Sequence, residues 1–97
     1  MTIYLIANID IEDRERYAQY EAGFMDIFAR FDGRMLAVDE QQTVLEGAPA
    51  PTRSVLIEFP DEAAARAWYE SPEYQALAAH RFASSTGSVT IIQGLGP

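Results

Sequence analysis

Residues 53–75 read RSVLIEFPDEAAARAWYESPEYQ, and the structural period changes twice along this stretch. Arg53 to Phe59 is an extended run rich in branched and aromatic side chains, and Pro60 ends it because proline cannot donate to a ladder. Asp61 stands where a helix N-cap is needed. The helix that follows carries Ala63, Ala64, Ala65, Ala67 and Trp68, small residues that permit close approach to a sheet. Ser71 and Pro72 then restart a helix, serine as N-cap and proline at the first helical position, and the pattern runs to about Ala83.

Toward the N-terminus, Ile3 to Ile9 is apolar on both alternating sets. Ile3, Leu5, Ala7 and Ile9 form one set; Tyr4 and Ile6 form the other, with Asn8 the exception. A strand apolar on both faces is covered on both. Asp13 is placed to cap a helix from about Arg14 to Arg30. At about 100° per residue, Tyr17, Tyr20, Phe24, Ile27, Phe28 and Phe31 fall in one apolar stripe. Gly33 follows the last apolar residue, as a C′ or turn glycine should. Arg34 to Val38 reads as a second strand and Asp39 to Gln42 as a polar turn. Thr43 to Glu46 reads as a resumed extended segment, either one long bent strand or a small hairpin, and Gly47 to Pro51 as a loop. At the C-terminal end, Ser84 to Gly87 reads as a turn and Ser88 to Gln93 as the last strand. The remaining residues, 94–97, form a tail with nothing to hold it.

The order is therefore β, α, β(β), β, α(α), β, which predicts an α+β, ferredoxin-like βαββαβ sandwich in one domain over residues 1–97. Right-handed connections place both helical segments on one face of an antiparallel sheet. The other face still carries Tyr4, Ile6, Leu56 and Ile92. A second copy of the same sheet is the simplest cover for it, so a homodimer, the dimeric α/β barrel, is expected.

Composition narrows the function. The apolar fraction of 48% is that of a globular chain, and the net charge of -8 repels a phosphate backbone and an anionic membrane, so neither nucleic acid nor membrane is expected as a partner. No cysteine is present, which removes disulfides, thiolate metal sites and a cysteine nucleophile. Met1 to Ile9 lacks a basic flank and is followed at once by Asp10, Glu12 and Asp13, so no secretory signal is read and a cytoplasmic location is expected. One histidine and scattered carboxylates give no metal-ligand spacing, and Gly94-Leu95-Gly96 follows a strand without opening a helix; neither a metal nor a cofactor is expected.

Three blocks together resemble a known family: Ile57-Glu58-Phe59-Pro60, Ala65-Arg66-Ala67-Trp68-Tyr69 and Ser71-Pro72-Glu73-Tyr74-Gln75. Tyr17 and Tyr20, Gly33-Arg34, Glu46-Gly47 and Arg81 extend the match over almost the whole chain. The sequence resembles the domain of unknown function 1330 family, within the dimeric α/β-barrel superfamily. Where the family often has Gly-Gly before the arginine, this chain has Asp32-Gly33. The resemblance implies the ferredoxin-like fold and a homodimer, and no established activity. The wider superfamily includes cofactor-free monooxygenases, haem-degrading enzymes, muconolactone-isomerase-like enzymes and ligand-binding regulators, and fold alone does not choose among them.

Candidate chemistry lies where polar residues break the apolar pattern. Leu77, Ala78, Arg81 and Ser85 all lie within about 60° of Tyr74 on the last helix. Arg81 thus faces the core, where its guanidinium needs a carboxylate or a ligand anion; a structural salt bridge or a snorkelling side chain are the plainer readings. Glu58 and Glu46 are carboxylates in strand segments, with Arg34, Arg53 and Arg81 available as partners. A buried Glu58 would serve as an acid or base, a paired one as a cross-strand or intersubunit ion pair. Trp68 shares the alanine face and Tyr69 lies at its edge; with Tyr17, Tyr20 and Phe24 they are either ordinary core or the lining of a flat apolar pocket. His80 lies about 120° from the Tyr74 stripe, a surface histidine or a proton shuttle. His80 and Ser84 mimic a base and nucleophile by spacing, yet no orienting acid or oxyanion turn accompanies them.

Two functions compete. In one, a pocket between helices and sheet binds a small apolar or aromatic molecule through Arg34, Tyr20, Phe24, Trp68, Tyr69, Tyr74 and Arg81. Catalysis, if any, would be cofactor-independent, of monooxygenase or isomerase type, and would fall to Arg81, Glu58, His80 or Tyr74. In the other, the chain is a non-catalytic assembly module and the same polar residues are intersubunit pairs.

Overall fold

The computed structural model describes residues 1–96; Pro97, the last residue of the expected loose tail, lies outside the described residues. The elements follow as β1 (Ile3–Ile11), α1 (Arg14–Phe28), β2 (Arg34–Asp39), β3 (Arg53–Phe59), α2 (Glu62–Tyr69), α3 (Pro72–Ser84) and β4 (Ser85–Gln93). The strands form a four-stranded antiparallel sheet in the order β2-β3-β1-β4, the ferredoxin-like arrangement expected for this element order. Each helix starts on the residue chosen for it. The Asp13 carboxylate accepts from the Arg16 amide, that of Asp61 from the Ala64 amide, and Ser71 Oγ from the Tyr74 amide.

Register decides which side chains meet. Ile3, Leu5, Ala7 and Ile9 of β1 are buried beneath the helices. Opposite them on β3 stand Phe59, Ile57, Val55 and Arg53. By the same alternation, Tyr4, Ile6 and Asn8 face the other way, beside Glu58, Leu56 and Ser54. The β2–β3 pairing shifts between Met35 and Ala37. That irregularity aligns Met35 with Ile57 and Val38 with Val55, so two residues three apart both turn toward the helices.

The helix-side core is aromatic. Trp68 packs edge-on to Phe28 at 5.5 Å and stacks on Phe59 at 5.7 Å between ring centroids. Gly33 is there for space. A Cβ on it would lie 2.5 Å from Phe28 Cζ and 2.7 Å from Phe59 Cε1. Gly23 is similarly close to α3, where a Cβ would lie 2.8 Å from Leu77 Cδ1.

Several local expectations change. Helix α1 ends at Phe28 with Ala29 as a right-handed cap, so Gly33 is a packing glycine and not the residue that closes the helix. Thr43 to Glu46 is neither strand nor hairpin: it pairs with none of the four strands, and Glu46 is exposed. Ser84 to Gly87 is no turn: β4 begins at Ser85 directly after α3, with Ser84 and Ser85 Oγ bonding back to carbonyls of His80 and Arg81. The tail is held at its first residue, whose amide (Gly94) donates to the Thr2 carbonyl at 2.9 Å.

Candidate functional site

A pocket of about 440 Å³ opens between α1, α3 and the helix-side face of the sheet. Its floor is Leu5, Ala7, Val55, Ile57 and Val89, and its walls are Tyr17, Tyr20, Phe24, Trp68 and Tyr74. Met25, Met35 and Val38 line it toward β2, the last two through the shifted register. The aromatic wall is continuous: Tyr20 meets Phe24 at 5.7 Å, Phe24 meets Trp68 at 5.9 Å, and Trp68 meets Tyr74 at 4.3 Å between ring centroids.

Its polar groups sit at two ends. At one, Arg53 Nη1 holds Glu40 at 2.9 Å and Glu21 at 3.2 Å, and its guanidinium stands 5.8 Å from the Tyr17 ring centre. Hydrogen bonds from Arg14 and Arg53 hold the Glu40 carboxyl below its ordinary range. At the other end, the Tyr20 and Tyr74 hydroxyls are 2.6 Å apart. The Arg81 guanidinium lies beside them, 5.8 Å from the Tyr20 ring centre and 4.8 Å from that of Phe82. Burial pushes both tyrosines above the ordinary phenol value; the mutual interaction adds to the shift at Tyr20, whereas the Arg81 charge opposes it at Tyr74. Arg53 Nε, Trp68 Nε1 and Arg81 Nη2 are buried without a hydrogen-bond partner. All three are N–H donors left without an acceptor.

The candidates named from sequence divide by location. Tyr20, Phe24, Trp68, Tyr74 and Arg81 all line the pocket. Tyr69 lies behind that wall, packed on Trp68 and Tyr74 at 6.0 and 5.6 Å, and is not among the lining residues. Arg34 and Glu58 are not in the pocket. They stand opposite each other on β2 and β3, 3.4 Å apart, on the face away from the helices, because strand alternation sends them there. His80 is half-buried outside the pocket, its Nδ1 accepting from Arg16 Nε at 2.8 Å; the Ser84 hydroxyl donates to the His80 carbonyl and not to its ring.

The profile of the family described as Domain of unknown function (DUF1330) matches residues 2–95. The chain belongs to this family. No curated protein matches the sequence. Among solved structures, RPA0582, a protein of unknown function from Rhodopseudomonas palustris, is similar with a TM-score of 0.83 and 19% identity, covering 99% of this chain and 84% of that one. SnoaB from Streptomyces nogalater, described as a cofactor-independent oxygenase, gives 0.67 at 17% identity over 99% of this chain and 95% of its own. A protein of unknown function from Thermobifida fusca, described as dimeric and ferredoxin-like, gives 0.66 at 16% over 95% and 90%. At these identities the likeness shows the fold.

Two residues of this DUF1330 chain's pocket carry charge that was not assigned to it from sequence: Arg53 and Glu21. From the sequence, Arg53 reads only as an ion-pair partner for a strand carboxylate. The signal was its parity, since it shares the alternating set of Val55, Ile57 and Phe59 and so must point under the helices. Glu21 follows Tyr20 on α1 and offers no such signal; only the fold brings it to Arg53.

Proposed function

We propose that this chain is a soluble cytoplasmic protein, one domain per subunit, that binds a small, flat, largely apolar molecule in the helix–sheet pocket. The pocket itself carries the reading. Its aromatic walls and aliphatic floor leave room for a ligand where a packed core would be filled, and a few polar groups stand at its ends, as in small-molecule sites generally. Trp68, the single tryptophan, lines the pocket, so its fluorescence is a built-in reporter. Titration with two-ring aromatic probes is expected to change that emission saturably and to raise the melting temperature. Flat titrations with every probe, together with an unchanged melting curve, would refute the reading.

The same proposal assigns the open sheet face to a homodimer. Support comes from its half-buried Tyr4, Ile6 and Leu56 and its Ile92, which is 46% exposed in the single chain. The description of fold neighbours as dimeric adds to it. In this reading Arg34 and Glu58 belong to the subunit interface. Cofactor-independent catalysis in the same pocket is a second reading, favoured by the hydrogen-bonded Tyr20–Tyr74 pair beside Arg81, a group able to lend or take a proton at a bound oxygen. Turnover of an enolic aromatic probe under oxygen, lost in Tyr74→Phe, would establish it; binding without turnover would limit the pocket to recognition.

A further inference from the structure

The charge balance around the pocket is uneven. Arg14, Arg34, Arg53 and Arg66 each pair with carboxylates. Arg81 is only 8% exposed and, among the described residues, has no carboxylate at ion-pair distance, although the chain holds fifteen. The aromatic rings of Tyr20 and Phe82 offset part of the cost of burying its charge. They leave Nη2 without an acceptor. Beside it, the Tyr20 and Tyr74 hydroxyls share one hydrogen bond, so whichever donates, one phenolic hydrogen remains free. Trp68, whose ring lies 4.3 Å from that of Tyr74, adds another unpartnered N–H.

We propose that the pocket's ligand is an organic monoanion, its charged oxygen seated on Arg81 beside the Tyr20–Tyr74 pair and its ring system against Phe24 and Trp68. This rests on the pocket reading above and names its ligand class. A neutral carbonyl would satisfy a donor but not the buried charge; an anionic oxygen satisfies both. One negative charge suffices, because Arg53 at the other end is already neutralised by Glu40 and Glu21, and the Glu21 carboxylate there disfavours a second acid group. Carboxylates and acidic enols both supply such an oxygen.

Two matched pairs of probes separate these sources: 2-naphthoate against 2-naphthamide, and 2-hydroxy-1,4-naphthoquinone, an enolate at neutral pH, against 2-methyl-1,4-naphthoquinone. Calorimetric titration of the full-length protein at pH 7 is expected to show at least one acid binding tenfold or more tightly than its neutral partner. The acid that shows this preference identifies the source. The preference is expected to vanish in Arg81→Met and to survive in weakened form in Arg81→Lys. Equal binding of acid and neutral partner in both pairs overturns the anion assignment and leaves the apolar pocket standing. Absence of binding by all four overturns both. Should Arg81→Met fail to fold, the wild-type comparison within each pair decides alone.

Discussion

Replacing Arg81 by methionine separates a residue kept for a ligand from one kept for the fold. A guanidinium that closes a buried structural ion pair costs roughly 3–5 kcal/mol to remove, because its partner is left charged and alone. Among the described residues Arg81 has no carboxylate at ion-pair distance, and its Nη2 is buried and unsatisfied. Removing that group returns about 1–3 kcal/mol of desolvation penalty. Against this stands the loss of two cation–π contacts, with Tyr20 and Phe82, at roughly 0.5–1 kcal/mol each. Methionine keeps the apolar stem and its packing. The net expectation for the ligand-free protein is neutral to stabilising, by about 0–2 kcal/mol, or a melting temperature raised by up to roughly 10 °C for a chain this long. Urea unfolding followed by circular dichroism avoids relying on Trp68, whose emission the substitution itself alters. With a saturating acid ligand this advantage is expected to shrink or reverse, since the wild type binds the acid more tightly and gains the larger linkage term. A loss of more than about 2 kcal/mol in the ligand-free variant would refute the reasoning and make Arg81 a structural residue.

Gly33→Ala forces a methyl against the buried rings of Phe28 and Phe59, and a destabilisation of about 2 kcal/mol is expected in the same urea assay. Leu56→Glu places a carboxylate in the middle of the open sheet face, two residues from Glu58 on the same strand, and is expected to give monomers in sedimentation velocity while aromatic probes still bind. Burial raises Tyr17, Tyr20 and Tyr74 above the phenol value of 10.0. Groups with raised folded values stabilise fully below the unfolded value, so stability is expected to hold up to about pH 9 and to fall above pH 10, where the unfolded chain releases protons that the folded one retains. Their phenolate absorbance is then expected to appear with unfolding and not before it; early titration of all three would contradict their burial.

The legible part of this protein is the part set by local chemistry. Asp13, Asp61 and Ser71 announce their helices because short polar side chains satisfy free amides there, and the structure uses each one. Strand β3 was readable to its ends because Pro60 and the prolines of the 47–51 loop bound it. Less legible was everything that depends on a neighbour distant in sequence. Gly33 reads as a helix-end or turn glycine, yet the space it must leave is set by two rings, one of them on β3. Thr43 to Glu46 has the alternation of a strand but no ladder to join, and pattern alone does not supply a partner.

The charged residues show the same division, and it bears on function. Arg81 could be placed on the core side from helix periodicity alone, and Arg53 could have been placed there from strand parity. Neither pattern says whether a carboxylate waits on the other side. For Arg53 the fold brings up Glu21 and Glu40; for Arg81 it brings up Tyr20, Tyr74 and the Phe82 ring, and among the described residues no carboxylate at ion-pair distance. Glu58 shows the converse. Its parity opposes that of Ile57 and Phe59, so it never faced the helices, and Arg34 meets it across the ladder on the open side. Side of the sheet therefore sorts these pattern-breaking residues by kind: those under the helices frame the pocket, and those on the open face stand where the proposed partner sheet would pack. That is why Arg81→Met and Leu56→Glu are expected to separate ligand binding from assembly, each leaving the other function in place.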